Sequence, residues 1–154
     1  MTVIITRRIY LEPHFLDQDI MKHLLAKIVK ITDTECTKEH GHILSVKSLI
    51  KVVNIEDTIF IVDFEAEILK PTIGDKLSGI VCMLYRDGIF LQISDKQKML
   101  IPSPSLSVKG YVYDEIKQMY SNENKKIKEG DKIDANVTAS QYNKKKFSCI
   151  GCLA

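Results

Sequence analysis

The sequence predicts an α+β unit over residues 1–72, followed by an all-β barrel of five strands over residues 73–154. Three observations carry this. The first half holds one amphipathic helix pattern and two alternating strand patterns. The second half holds strand patterns punctuated by Gly-Asp and Asp-Gly turns. The stretch Ile73–Val81, IGDKLSGIV, returns as Glu129–Val137, EGDKIDANV.

Residues 3–10 read as a strand, and Pro13 breaks it. From Leu16 to Val29, the apolar residues Ile20, Met21, Leu24, Leu25 and Ile28 form a helical stripe. Asp17 is the expected N-cap, with Asp19 in the first turn and Lys27 and Lys30 in the last, as the helix dipole prefers. In HGHILSVKSLIKVV, Leu44, Val46, Ile50 and Val52 share a strand face at period two. In TIFIVDFEAEIL, Phe60, Val62, Phe64, Ala66 and Ile68 take one face and Asp63, Glu65 and Glu67 the other. The two runs read as antiparallel neighbours joined through Asn54 to Asp57, and Lys70-Pro71 ends the unit.

In the second half a strand runs from Gly74-Asp75 to about Tyr85, and Asp87-Gly88 signals a hairpin. GIFLQIS follows, then a turn at Asp95 to Lys98, then MLIPSPSL. Tyr113 to Tyr120 reads as a helix within an irregular insertion, and Ser121 to Lys126 as the one disordered run. A strand from Gly130-Asp131 to about Ser140, a turn at Asn143 to Lys146 and a strand from Phe147 to Leu153 close the chain. Five strands with a long insertion before the fourth suit a Greek-key barrel of OB type.

The repeated stretch then has a physical meaning. In each copy Gly-Asp turns the chain into a strand. Leu77, Gly79, Val81 and Met83 face one side, as do Ile133, Ala135, Val137 and Ala139. The small residue, Gly79 or Ala135, leaves room on the concave side of a sharply bent strand. The copies are two barrel strands, not two repeated domains.

Composition is that of a globular protein, 45% hydrophobic and 27% charged, and no apolar run reaches the ~18 residues of a membrane span. Arginines that follow the first apolar residues are in the wrong order for a signal peptide, which places the chain inside a cell. Cys36, Cys82, Cys149 and Cys152 form no dense disulfide framework, which fits a reducing compartment. Residues 1–72 carry nine Lys/Arg against eleven Asp/Glu, and residues 73–154 carry thirteen against nine. The basic excess, +4, lies in the second half and favours a polyanion there.

Several pieces, in order, resemble the stalk subunit of multisubunit DNA-directed RNA polymerases, the family of the seventh-largest subunit of eukaryotic RNA polymerase II and its archaeal counterpart. They are Thr34-Glu35-Cys36-Thr37, Gly41-His42-Ile43-Leu44-Ser45-Val46 and Val62-Asp63-Phe64-Glu65-Ala66. Then come Lys70-Pro71-x-x-Gly74-Asp75-x-Leu77-x-Gly79-x-Val81, Leu100-Ile101-Pro102-Ser103, Gly130-Asp131 and Phe147-x-x-Ile150-Gly151. The resemblance implies a ribonucleoprotein-like tip domain that docks on the polymerase core beside the clamp, and an OB barrel that binds emerging RNA. It implies no chemistry and no cofactor of the subunit's own. The implied partners are the largest and second-largest core subunits and nascent single-stranded RNA; cellular members also pair with a helical stalk partner subunit, which a trimmed version could lack. The implied location is nuclear for a cellular eukaryotic member and cytoplasmic or in the virion for a viral one. The family's glycine-rich tip loop is shortened here to Val53–Thr58, and the chain ends soon after Gly151, before the usual tail; a trimmed, virus-encoded version would fit both departures.

Under that resemblance the docking residues are Lys38, Glu39, His40, Gly41 and His42, with Asn54, Ile55, Glu56, Asp57 and Thr58. Lys38 to Gly41 reads as a turn in which Gly41 supplies a positive φ. The RNA-binding residues are Lys144, Lys145 and Lys146 in the last hairpin loop, with Tyr142, Arg86, Phe90, Gln92, Lys96 and Lys98. Lysines would track phosphates, and Phe90 or Tyr142 would stack on a base. The plain alternatives are a solvated lysine turn and a core phenylalanine.

Cys149-x-x-Cys152 raises a metal reading, but residues three apart on a strand point to opposite faces. His40 and His42 would share a strand face, with no accompanying ligand motif. No Walker loop, G-x-S-x-G or H-E-x-x-H occurs. The sequence thus reads first as a non-catalytic polymerase stalk subunit. A free-standing OB protein in translation or RNA handling is the alternative, and a small metal enzyme is a distant third.

Overall fold

The computed structural model describes residues 1–33 and 35–154. Thr34, one of the residues carrying the family resemblance, lies outside them. The protein is mostly β, and the chain divides into two compact units, Met1–Lys70 and Pro71–Ala154.

The first unit is an antiparallel sheet in the order β1 (Thr2–Tyr10), β4 (Ile59–Leu69), β3 (Gly41–Glu56) and β2 (Cys36–Thr37). Its one long helix among the described residues is α1 (Ile20–Thr32). Strands dominate the unit, so it is not an even α+β mixture.

The helix starts later than its apolar stripe suggests. A short 3-10 turn, Pro13–Phe15, holds the entry to Leu16, and Asp19 rather than Asp17 is the N-cap. The Asp17 carboxylate accepts the Asp19 N–H at 2.8 Å and faces His23 Nε2 at 3.2 Å, which lowers its pKa, chiefly through the backbone hydrogen bond. Leu24 and Ile28 are buried against the sheet, whereas Met21 and Val29 are exposed.

β4 alternates as expected, with Phe60, Val62, Phe64, Ala66 and Ile68 all buried. β3 does not. Its pairing with β4 slips by one residue four times, at Leu44, Lys47, Ile50 and Val53. Fifteen residues, His42 to Glu56, therefore oppose the eleven of β4. The residues opposite the β4 core row are Ile43, Val46, Leu49, Val52 and Ile55, spaced by three; the first four pack on the core, and Ile55 is exposed. Period two fails because each extra residue resets the alternation and increases the local twist. Leu44 and Ile50 consequently leave the core face expected of them. β3 also runs on through Asn54, Ile55 and Glu56, and Asp57–Thr58 alone make the turn, with Asp57 at φ 55°.

The second unit is a closed barrel in the order β11 (Lys132–Asn143), β12 (Lys146–Leu153), β7 (Gln97–Pro102), β6 (Gly88–Ser94) and β5 (Lys76–Tyr85). β12 closes it by running parallel to β7, with Ile150 opposite Leu100. Val81, Ile89, Leu91, Met99, Ile101, Ala135 and Val137 fill the interior. The Asp87-Gly88 hairpin turns on Arg86–Asp87, so Gly88 is already a strand residue, opposite Tyr85. Lys98 likewise belongs to β7 and not to the turn before it.

The insertion holds α2 (Ser103–Val108) and a small sheet of β8 (Val112–Asp114), β9 (Met119–Ser121) and β10 (Lys126–Ile127). The helix expected over Tyr113 to Tyr120 is thus a hairpin, with Tyr113 opposite Tyr120. Buried Tyr120 anchors it by donating its hydroxyl to the carbonyls of Tyr85 and Arg86. The run expected to be disordered, Ser121 to Lys126, is a turn closed by Asn122, whose Oδ1 accepts the N–H groups of Asn124 and Lys125.

The two copies of the repeated stretch pair with each other. β5 and β11 are antiparallel, with Leu77 opposite Ala135, Ser78 opposite Asp134 and Gly79 opposite Ile133. Gly74 N–H donates to the Val137 carbonyl at 2.9 Å, and Gly130 N–H donates to the Val81 carbonyl at 2.9 Å. Val137 N–H returns to Asp75 O at 2.8 Å, and Val81 N–H to Asp131 O at 2.9 Å. Each Asp Oδ2 accepts the backbone N–H three residues before it, from Thr72 or from Lys128. The two turns are thus related by a local twofold axis through the Ser78–Asp134 pair. Gly74 and Gly130 have φ of 96° and 92°, a region that favours glycine. One residue past each valine the pairing slips, at Cys82 and Thr138, so Leu84 rather than Met83 packs on the core, and Ala139 is exposed.

Candidate nucleic-acid interface

The outward face of the barrel follows from the pairing register. Lys132 lies opposite Ile80, Ile80 opposite Gln92, and Gln92 opposite Lys98. One step along, Met83 lies opposite Phe90, and Phe90 opposite Leu100. Phe90 is half-buried and meets Tyr85 edge to face, with centroids 6.2 Å apart. Its ring belongs to the outer face, not to the core. Gln92 donates its amide to the Ser94 carbonyl.

The turn between β11 and β12 is Lys144–Lys145, with φ of 50° and 63°. Two-residue hairpins with both φ positive ordinarily use Asn and Gly: Gly has no Cβ and Asn tolerates the left-handed region, whereas other side chains are strained there by about 1 kcal/mol or more. Two lysines occupy it here. Beside them, Tyr142 packs on Phe147 at 5.2 Å between centroids. The Gln97 side chain, buried at the start of β7, donates to Phe147 O at 3.1 Å and to Lys98 O at 2.7 Å.

Because β12 is parallel to β7, the Lys144–Lys145 turn lies at the same end of the barrel as the turn holding Lys96. Gln92, Lys96, Lys98, Tyr142, Lys144, Lys145 and Lys146 therefore gather toward that end, with Phe90 midway along β6. Arg86 lies at the opposite end and is ion-paired with Glu115 of the insertion.

In the first unit the expected docking residues separate. Lys38, Glu39 and His40 form the turn into β3, where His40 N–H donates to Thr37 Oγ1 at 3.0 Å. Gly41 has φ of 71°, as expected, and His42 pairs with Leu69. Asn54, Ile55 and Glu56 are strand residues at the far end of β3, and Asp57–Thr58 follow. The two segments thus lie at opposite ends of a sheet eleven residues long on β4, roughly 35 Å apart. They do not form one tip.

Cys149 is buried and Cys152 lies on the other face of β12. Burial, reinforced by the Asp75 charge, pushes the Cys149 thiol up to about 11.

One basic cluster escapes the sequence reading. A cleft of about 460 Å³ brings together Lys76, Lys125, Lys126 and Lys132, over a floor that includes Tyr111 and Ile127. Lys76 and Lys132 are the lysines of the two Gly-Asp-Lys turns, so the repetition itself was the available signal.

A family model for the S1 RNA-binding domain matches residues 70–149, just over half of the chain. The chain belongs to the S1 RNA-binding domain family. Among solved structures, the apo form of RNase R from Mycoplasma genitalium is similar at 22% identity and a TM-score of 0.45, covering 53% of this chain and 13% of that one. The solution structure of GSP13 from Bacillus subtilis is similar at 21% identity and a TM-score of 0.38, covering 53% and 55%. The chain thus spans a small part of the first and about half of the second. No curated protein matches the sequence. The S1 domain is the barrel unit, and no helix among the described residues is long and apolar enough to cross a membrane.

Proposed function

We propose that the chain is a non-catalytic RNA-binding protein whose S1 barrel holds single-stranded RNA across β6 and β7. Phe90 offers a stacking surface, Gln92 a polar contact, and Lys96, Lys98 and Lys144 to Lys146 track the phosphates. The observation that carries this is the Lys144–Lys145 turn, where two lysines take a backbone conformation that costs them stability. The S1 family match supports the same reading. Binding is expected to be sequence-tolerant and strongly salt-dependent.

The test is fluorescence anisotropy of a labelled oligouridylate across a salt series. Changing Lys144, Lys145 and Lys146 together to alanine is expected to weaken binding and lower the salt slope by roughly 2, at about 0.7 per phosphate contact. An unchanged slope would remove these lysines from the site.

A finer reading assigns the protein to the stalk of a multisubunit RNA polymerase. Its support is the ordered resemblance that spans both units. The two docking segments lie at opposite ends of the sheet, so a partner that touches both must span roughly 35 Å. A tagged pull-down from the native source tests this reading. Two very large polymerase subunits in near-equal amounts would support it. RNA and ribosomal proteins without them would favour a free-standing RNA-handling protein.

A further inference from the structure

We infer that the lysine cleft is a second phosphate-binding site, which receives the backbone of the same RNA strand after it crosses the barrel face. This rests on the RNA-binding reading above and extends it to a region that reading does not use. Four lysines line the cleft, against the carboxylates of Asp131 and Asp134 and the last residue, Ala154, whose oxygen accepts Lys109 Nζ at 3.5 Å. Asp134 accepts the Ser78 hydroxyl and lies 4.0 Å from Lys76 Nζ, and Asp131 Oδ2 accepts the Lys128 N–H. Both acids are therefore engaged, while Lys125, Lys126 and Lys132 are exposed.

The cleft joins the barrel face directly. The row Lys132, Ile80, Gln92, Lys98 runs across four adjacent strands, roughly 14 Å from end to end. Ile80, 52% exposed, and half-buried Gln92 lie between lysines at both ends. That order suits a chain whose phosphates meet cations at each side while its bases lie over an apolar and amide surface. The insertion that supplies Lys125 and Lys126 is anchored to the barrel by the Tyr120 hydroxyl, so the backbone that carries these lysines is positioned before RNA arrives.

The experiment compares Lys125→Ala with Lys126→Ala, combined, against the unaltered chain. Oligouridylates of roughly four and roughly sixteen residues span the usual OB site sizes. The long oligonucleotide is expected to lose roughly tenfold in affinity, with a salt slope lower by about 1.4, and the short one to be unchanged. Equal loss at both lengths, or no loss at either, would overturn the inference. Uridine monophosphate competing only through these lysines, with long RNA unaffected, would also overturn it and mark a free-nucleotide site. Failure of the unaltered chain to bind either RNA would instead overturn the RNA-binding reading itself.

Discussion

Ser78 donates its hydroxyl to the Asp134 carboxylate at the centre of a local twofold axis that relates the two Gly-Asp-Lys turns of the barrel. The axis explains why the chain repeats a short phrase. Each copy supplies the turn that caps the other copy's strand, and each supplies one lysine to the cleft. Equivalent positions should therefore have equivalent energetics.

Gly74→Ala and Gly130→Ala test this. A Cβ at either site meets nothing within 4 Å, so the cost is conformational alone. Each is expected to lose roughly 1–2 kcal/mol in urea unfolding, and by nearly the same amount. A large cost at one site and none at the other would break the equivalence.

The Lys144–Lys145 turn predicts opposite effects on stability and binding. Lys144→Asn with Lys145→Gly supplies the residues that the positive φ values favour. The variant is expected to be about 1–2 kcal/mol more stable and to bind RNA more weakly, with a shallower salt dependence. Greater stability with unchanged RNA affinity would mean that the lysines serve no RNA contact.

The slips in β3 predict which of two neighbouring residues matters. Leu49 faces the core opposite Phe64, and Ile50 is the extra, exposed residue beside it. Leu49→Ala should cost roughly 2 kcal/mol or more. Ile50→Ser should stay within about 0.5 kcal/mol. A reversed order in thermal unfolding would restore the period-two face.

Thiol chemistry separates the two cysteines of β12. Cys149 is buried with its pKa raised to about 11, so a thiol reagent near neutral pH should modify Cys152 and leave Cys149 intact in the folded protein. The sign for stability follows from a folded pKa above the ordinary 9.0. The stabilisation is complete below about pH 9 and is lost as pH rises through about 11. Cys149→Ala should make the alkaline limb of stability shallower. Rapid labelling of Cys149 at neutral pH would contradict this.

The barrel, its five strands and the place of its insertion are legible in the residue order alone, because alternating burial and Gly-Asp turns are local signals. So are the positions of Phe90 on its strand and of Lys144 and Lys145 in their turn. The period of β3 is not legible there, since its extra residues exist only relative to the straight partner β4. Likewise, the hairpin of Tyr113 and Tyr120 forms because Tyr120 reaches carbonyls 34 and 35 residues away, a contact no local pattern contains. The same holds for the meeting of Lys125 and Lys126 with Lys76 and Lys132. Strand direction and cross-strand register, not spacing along the chain, set which side chains share a surface.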